Sequence, residues 1–211
     1  MPNTSAREVD LGFTHDHFPA GTHMCLVYSS ETERQRIISA FLGAGVRDRE
    51  CVAYFADKPS VGEAEAHLAA MGCQTEPAAS GAGVSVTVAE TTYCPHGTFI
   101  PEEMLATLRQ FYAQTLARGY LGARVSGEMS WATRAVVGSE RLAEYEALVN
   151  HVLVEHPVTA ICQYDVNLFD GRTILDILKV HPMMIVRGQV VVNPYYLEPE
   201  EFLAQQVRNV Q

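Results

Sequence analysis

Three short stretches of this chain combine side chains that bind ligands or metals at spacings that could bring them together. The first is His23-Met24-Cys25-Leu26-Val27-Tyr28. In an extended strand, residues two apart point to one face, so His23 and Cys25 could act on one ligand as a polar or metal-binding pair. The alternative is a histidine that satisfies backbone groups beside a buried thiol. The second stretch, Ala160-Ile161-Cys162-Gln163-Tyr164-Asp165, ends an apolar run in a thiol, an amide and a phenol. Such groups at a strand's carboxyl end lie where an open α/β sheet presents its ligand. The third is His181-Pro182. His23, Cys25, Cys162 and His181 together offer four soft or borderline donors suited to zinc or iron, although their spacing is no familiar zinc signature.

Two further segments carry polar and aromatic groups. Val125-Ser126-Gly127-Glu128-Met129-Ser130-Trp131 puts a carboxylate and the only tryptophan at a predicted strand end. Glu128 there must face solvent or be paired, and Trp131 is either a wall of an apolar pocket or a core residue. Tyr93, Cys94, His96 and Phe99 form a predicted polar–aromatic loop after another strand. His15 and His17 form a pair near the N-terminus that could lid the same site. A Cys–His nucleophile built from Cys25 or Cys162 lacks any supporting local signature, and paired carboxylates for acid–base work are not evident.

The elements that must position these groups alternate short apolar runs with longer amphipathic ones, the pattern of βα units and a mostly parallel sheet. Strands are predicted at His23 to Tyr28, Cys51 to Phe55, Val84 to Val88, Leu121 to Ser126 and Thr159 to Tyr164. Helices are predicted at about Glu31 to Gly43, Ser60 to Met71, Pro101 to Arg118, Ser139 to Glu155 and Thr173 to Val180. Ala78 to Gly83 reads as a small-residue loop. Met183 to Arg187 and Gln189 to Val192 read as an antiparallel pair around Gly188. The expected fold class is α/β: three layers, a mostly parallel sheet flanked by helices, and a C-terminal antiparallel hairpin. The expected organisation is an N-terminal extension at 1–20, one domain at 21–203 and a tail at 204–211.

Composition bounds the function. The chain has 211 residues, 47% of them hydrophobic and 19% charged, an ordinary globular balance. A net charge of -10 repels nucleic acid and anionic lipid, so no direct nucleic-acid or membrane partner is expected. Arg34 and Arg36 read as solvated positions at a helix end. No apolar run approaches the roughly 20 residues of a membrane span, and no signal peptide opens the chain, so a cytoplasmic location is expected. Five cysteines without a CxxC pair read as reduced thiols.

Strand, turn and helix at His23 to Gly43 have the order that opens a RecA/KaiC-type nucleotide domain. The intervening Tyr28-Ser29-Ser30-Glu31-Thr32-Glu33-Arg34 has no glycine or lysine and carries two carboxylates where phosphate oxygens would sit. No nucleotide is therefore expected. Glu128 lies near the place of a metal-holding acid but has no phosphate partner.

From about Gly21 to Phe202 the chain resembles the MEDS domain, a family of bacterial and archaeal sensory modules associated with small hydrocarbon derivatives. The resemblance rests on the His-x-Cys-x-x-Tyr signature at His23 to Tyr28, the Gly-Glu-Met-x-Trp turn at Gly127 to Trp131, and Cys162-Gln163-Tyr164 with His181-Pro182. Tyr93 and Phe99 match it too, as do Tyr145 and Glu146, which read as packing residues. It implies a degenerate RecA/KaiC-like fold, in which the fifth strand lies beside the first and brings Cys162 near His23 and Cys25. It further implies a non-catalytic sensor whose ligand meets His23, Cys25, Tyr28, Tyr93, Phe99, Glu128, Trp131, Cys162, Gln163, Tyr164 and His181. The parallel strands should end around one pocket with Tyr28, Glu128 and Tyr164 at those ends. Members are often fused to kinase, anti-sigma or DNA-binding modules. No such motif is seen here, so output is expected through a regulatory protein in trans or through homo-oligomer changes. The alternative from another class is a metal- or haem-dependent redox sensor or enzyme using the His/Cys cluster.

Overall fold

The computed structural model describes residues 7–75 and 83–209. Its strands are β1 (Glu8–Asp10), β2 (His17–Pro19), β3 (His23–Tyr28), β4 (Cys51–Ala56), β5 (Val84–Val88), β6 (Ala123–Glu128), β7 (Val158–Asp165), β8 (Met183–Val186) and β9 (Gln189–Val192). Its helices are α1 (Glu31–Arg47), α2 (Val61–Ala70), α3 (Ala89–Tyr93), α4 (Pro101–Ala117), α5 (Leu142–Glu155), α6 (Gly171–Val180) and α7 (Pro199–Asn209). A seven-stranded sheet runs β5–β4–β6–β7–β3–β8–β9, parallel except for the terminal β8–β9 hairpin. This is the α/β, three-layer architecture the residue pattern predicts.

Every residue of β6 and β7 is buried. These central strands are covered on both faces, as parallel strands must be when crossover helices lie on each side. On one face Ile37, Ile38, Phe41 and Leu42 of α1 and Ala64 and Leu68 of α2 pack on Met24, Leu26, Val52 and Ile161. On the other, α4, α5 and α6 pack on Val125, Ala160 and Cys162 through residues such as Met104, Leu108, Tyr145, Val149 and Ile177. Local chemistry starts the helices where they start. Ser30 accepts from the Glu33 amide to cap α1, Ser60 and Glu63 form a reciprocal capping box on α2, and Pro101 occupies the first turn of α4.

Several boundaries differ from expectation. β6 begins at Ala123, not Leu121, because Leu121 is 56% exposed in the turn that follows Gly119, and it runs on to Glu128. The helix predicted from Ser139 opens as a 3-10 turn before α5. The predicted loop after β5 begins as the short helix α3. Residues near the N-terminus form a β1–β2 hairpin that buries Val9 and Leu11 in the α1-side core. α7 covers Pro199–Asn209, much of the stretch expected as a tail. Most of the predicted Ala78 to Gly83 loop lies outside the described residues.

Candidate functional site

β7 delivers chemistry to two places. Successive side chains on a strand point to opposite faces, so Cys162 and Tyr164 face α5 while Gln163 and Asp165 face α1. The single site expected from Cys162-Gln163-Tyr164 is therefore divided by the sheet itself.

On the α1 face, Arg34 occupies the stripe that also carries Ile37, Ile38 and Phe41, and this puts its guanidinium under the sheet at 4% exposure. The expectation that Arg34 is solvated is corrected accordingly. Its Nη1 donates to Tyr54 Oη (2.9 Å), Glu128 Oε1 (3.0 Å) and Gln163 Oε1 (2.9 Å), and its other nitrogens pair with Glu31. Glu128 also accepts from the Tyr54 hydroxyl and from the backbone amides of Asp57 (3.2 Å) and Lys58 (3.0 Å). Gln163 passes its amide hydrogen to Ser126 Oγ at 2.9 Å. Burial lowers the pKa of Arg34, but the Glu31 hydrogen bonds and the neighbouring Glu128 charge more than offset it, so the group is held above its ordinary value. Only Ser29 and Ser30 separate β3 from α1, too short a turn to wrap a phosphate chain.

Beside this network a cleft of about 550 Å³ opens between α1 and α2 at the carboxyl ends of the strands. Tyr28, Arg34, Lys58 and Asp165 line it with Ile38, Ala64 and Leu68. Lys58 and Asp165 form an ion pair at its edge. Two buried polar atoms in its lining, Ser39 Oγ and His67 Nε2, have no hydrogen-bond partner among the described residues.

On the α5 face, His23, Glu146, Cys162 and His181 converge, all buried, with donor atoms within 4.8 Å of one another. His23 Nε2 lies 3.3 Å from Glu146 Oε2 and 3.5 Å from Cys162 Sγ. Cys162 Sγ is 3.4 Å and His181 Nε2 3.6 Å from the same carboxylate oxygen. Glu146 Oε1 accepts from the Tyr164 hydroxyl at 2.5 Å. Burial pushes the Glu146 carboxyl up, but the hydrogen bond with His23, the neighbouring imidazole rings and the Tyr164 hydroxyl outweigh it and hold the group below its ordinary value. Burial, then the nearby His23, depress His181 to about 3. Burial and the Glu146 charge push the Cys162 thiol well up. These four donor atoms lie close enough together to hold one ion.

The β3–β7 register pairs Cys25 with Cys162, as the expected strand order requires. Cys25 nevertheless stands outside the converging set: its Sγ faces the Met183 carbonyl at 3.8 Å, and Glu146 takes the place expected for it. Tyr93, Phe99 and Trp131 do not wall the cleft. They pack on one another and on Tyr145 in the closed core, with Tyr93 and Trp131 stacked at 5.2 Å. Tyr28 and Glu128 reach the α1 side while Tyr164 turns to the α5 side, so these three strand ends do not surround one pocket. His15 and His17 are exposed and contribute to neither group. Sequence reasoning missed Arg34, Tyr54, Ser39 and His67, and assigned Glu146 to packing. Arg34 and Glu146 could have been found as charges placed on otherwise apolar helix stripes. Nothing marks Ser39 or His67 in the sequence.

No helix among the described residues is long and apolar enough to cross a membrane. The family described as "MEDS: MEthanogen/methylotroph, DcmR Sensory domain" matches residues 22–182. A curated relative, the transcriptional repressor DcmR of Methylorubrum extorquens, is 35% identical over 80 residues, which are 37% of this chain and 30% of the repressor. The match thus spans under a third of that relative's length. Among solved structures, the KaiC-like protein PH0186 of Pyrococcus horikoshii aligns with a TM-score of 0.60 at 16% identity, covering 86% of this chain and 80% of that one. The flagellar accessory protein FlaH of Methanocaldococcus jannaschii aligns with a TM-score of 0.61 at 10% identity, covering 88% and 84%. At those identities the two structures speak for a shared KaiC-like fold alone.

Proposed function

The chain belongs to the MEDS family of methanogen/methylotroph, DcmR sensory domains, and from that premise we propose that it binds a small molecule in the α1–α2 cleft, leaves it chemically unchanged, and signals its presence to a regulatory protein in trans. The observation that carries this reading is the pair of unpartnered polar atoms, Ser39 Oγ on α1 and His67 Nε2 on α2. A buried polar atom without a partner has lost its hydration with nothing in exchange, and a ligand's own polar group can relieve that loss. Ile38, Ala64 and Leu68 supply apolar surface beside them. A compact apolar body with one polar head, a simple hydrocarbon derivative, complements such a cleft. Its volume of about 550 Å³ suits a small molecule.

Binding without turnover is supported by Glu128. Glu128, beside the cleft, accepts from four fixed donors, the Arg34 guanidinium, the Tyr54 hydroxyl and two backbone amides, and the lining carboxylates Glu31, Glu63 and Asp165 are engaged by Arg34, Ser60 and Lys58, which leaves each little capacity to act as a free base. Titration calorimetry with short-chain alcohols, amines and halides tests the reading. Wild-type protein should bind at least one class, and His67→Trp, which fills the half-exposed rim of the cleft, should abolish binding while keeping the unliganded melting temperature. Undiminished binding to that variant, or conversion of the ligand followed by NMR, would overturn it.

A further inference from the structure

The α5-face cluster holds two imidazoles in orientations fixed by hydrogen bonds outside the cluster. Asn150 Nδ2 donates to the carbonyls of Glu146, Ala147 and Val180 at 3.3, 3.2 and 2.8 Å, which fixes its Oδ1 as an acceptor. His23 Nδ1, 3.0 Å from that oxygen, must therefore carry a proton. His181 Nδ1 lies 2.8 Å from the Ile177 carbonyl and must carry one too. Both rings are thus held by their Nδ1–H groups with Nε2 turned toward Glu146 Oε2 and Cys162 Sγ. His181 Nε2 is wholly buried and has no hydrogen-bond partner among the described residues. With Nδ1 engaged in this way, each ring presents its second nitrogen to the Glu146 carboxylate, the orientation in which an imidazole offers Nε2 to a metal ion.

Imidazoles oriented through Nδ1–H to a carbonyl or amide oxygen show the outer-shell pattern of metal-binding histidines. The remaining geometry agrees. A tetrahedral zinc ion with bonds of about 2.0–2.3 Å has ligand–ligand edges of about 3.3–3.8 Å. Four of the six edges through Glu146 Oε2, His23 Nε2, Cys162 Sγ and His181 Nε2 measure 3.3, 3.4, 3.5 and 3.6 Å, and the other two, from His181 to His23 and to Cys162, lie within 4.8 Å. One thiolate and one carboxylate also neutralise a divalent charge, a requirement in a buried site.

We propose that His23, Glu146, Cys162 and His181 form a closed, tetrahedral zinc site that clamps β3, β7, α5 and the end of α6 together. On binding, the Cys162 thiol releases its proton to solvent as the Zn–S bond forms; nothing is oxidised or reduced. Four protein ligands leave no open position, which marks a structural site and not a catalytic one. The ion has a route in: His23 and Asn150 line a cavity of about 720 Å³ with Gly21, Thr22 and Met183 at the amino ends of the strands. The site lies across the sheet from the α1–α2 cleft, so the proposal stands or falls independently of the ligand reading.

The test uses the whole chain, purified without an affinity metal, stripped with chelator and titrated with Zn²⁺ alone and then with Co²⁺. One equivalent of Zn²⁺ should bind and raise the melting temperature. Co²⁺ should give the visible bands of a tetrahedral site plus a thiolate charge-transfer band. Cys162→Ser should remove that band and weaken Zn²⁺ binding at least about tenfold, whereas Cys25→Ser should keep both. Circular dichroism confirms that each variant folds, and if Cys162→Ser does not, Glu146→Gln replaces it with the same loss of affinity expected. Failure to bind a stoichiometric ion, a cobalt spectrum without the thiolate band, or loss of that band in Cys25→Ser would each overturn the assignment.

Discussion

On the α1 face of the sheet, Arg34 and Glu128 bury an ion pair in which donors and acceptors match. The guanidinium reaches four protein partners and the carboxylate accepts from four donors. On the α5 face, across the same strands, Glu146 faces two imidazole nitrogens and a thiol, and His181 Nε2 has no hydrogen-bond partner among the described residues. The first arrangement is complete within the protein. The second is completed by a positive charge from outside. That contrast teaches what a buried charge is for: a saturated pair fixes local structure, whereas an unsaturated donor set is an offer to a ligand.

The largest effect should come from breaking the complete side. Glu128→Ala leaves the buried Arg34 guanidinium with only the half-exposed Glu31 as its carboxylate partner, and orphans the amides of Asp57 and Lys58. A loss of about 3–5 kcal/mol in urea unfolding is expected. A loss below about 1 kcal/mol would show that Glu128 is not the keystone of this face.

The equivalent change on the other face should be much milder. In chelator-stripped protein, Glu146→Gln keeps an oxygen to accept from Tyr164 and gains an amide hydrogen for an imidazole Nε2, so it improves the local match while removing a buried charge. We expect about 0–1 kcal/mol of destabilisation by urea unfolding, against about 2–3 kcal/mol for Glu128→Gln, which loses an acceptor for two backbone amides. Equal costs on the two faces would erase the distinction between them.

Much of this was readable from the chain before any coordinates. β3, β5 and the β8–β9 hairpin lie where short apolar runs and the Gly188 turn put them, because polar or turn-forming residues bound each run sharply. The short β1–β2 pair and α3 were missed, since elements of three to five residues carry too few positions for a period to register. The approach of Cys162 to His23 followed from strand order. The division of the Cys-Gln-Tyr-Asp end between two faces is implicit in the period of two, but its consequence depends on what each face meets. Glu146 arrives from α5 and Arg34 from α1, and no local pattern shows which helix covers which face. The closed aromatic packing of Trp131 likewise depends on Tyr93, Phe99 and Tyr145 meeting from three separate segments.

The smallest effect on stability should come from Ser39, and it is the one that separates a cleft built for a ligand from a cleft left by imperfect packing. Ser39 Oγ is buried and has no partner among the described residues, whereas the Ser39 carbonyl accepts from the Cys73 thiol at 3.1 Å, a contact a side-chain change leaves in place. Ser39→Ala therefore removes only a desolvated hydroxyl and keeps a good helix residue in α1. Unfolding free energy should change by about 0.5 kcal/mol or less and in the stabilising direction, while affinity for a ligand whose polar head meets that hydroxyl should fall about fivefold to tenfold, the worth of one hydrogen bond. Calorimetric titration and urea unfolding on the same preparation read both quantities. Unchanged affinity would place the ligand's polar head elsewhere in the cleft, and a clear loss of stability would mean that Ser39 Oγ is satisfied in solution and that the cleft offers one polar atom fewer than the geometry indicates.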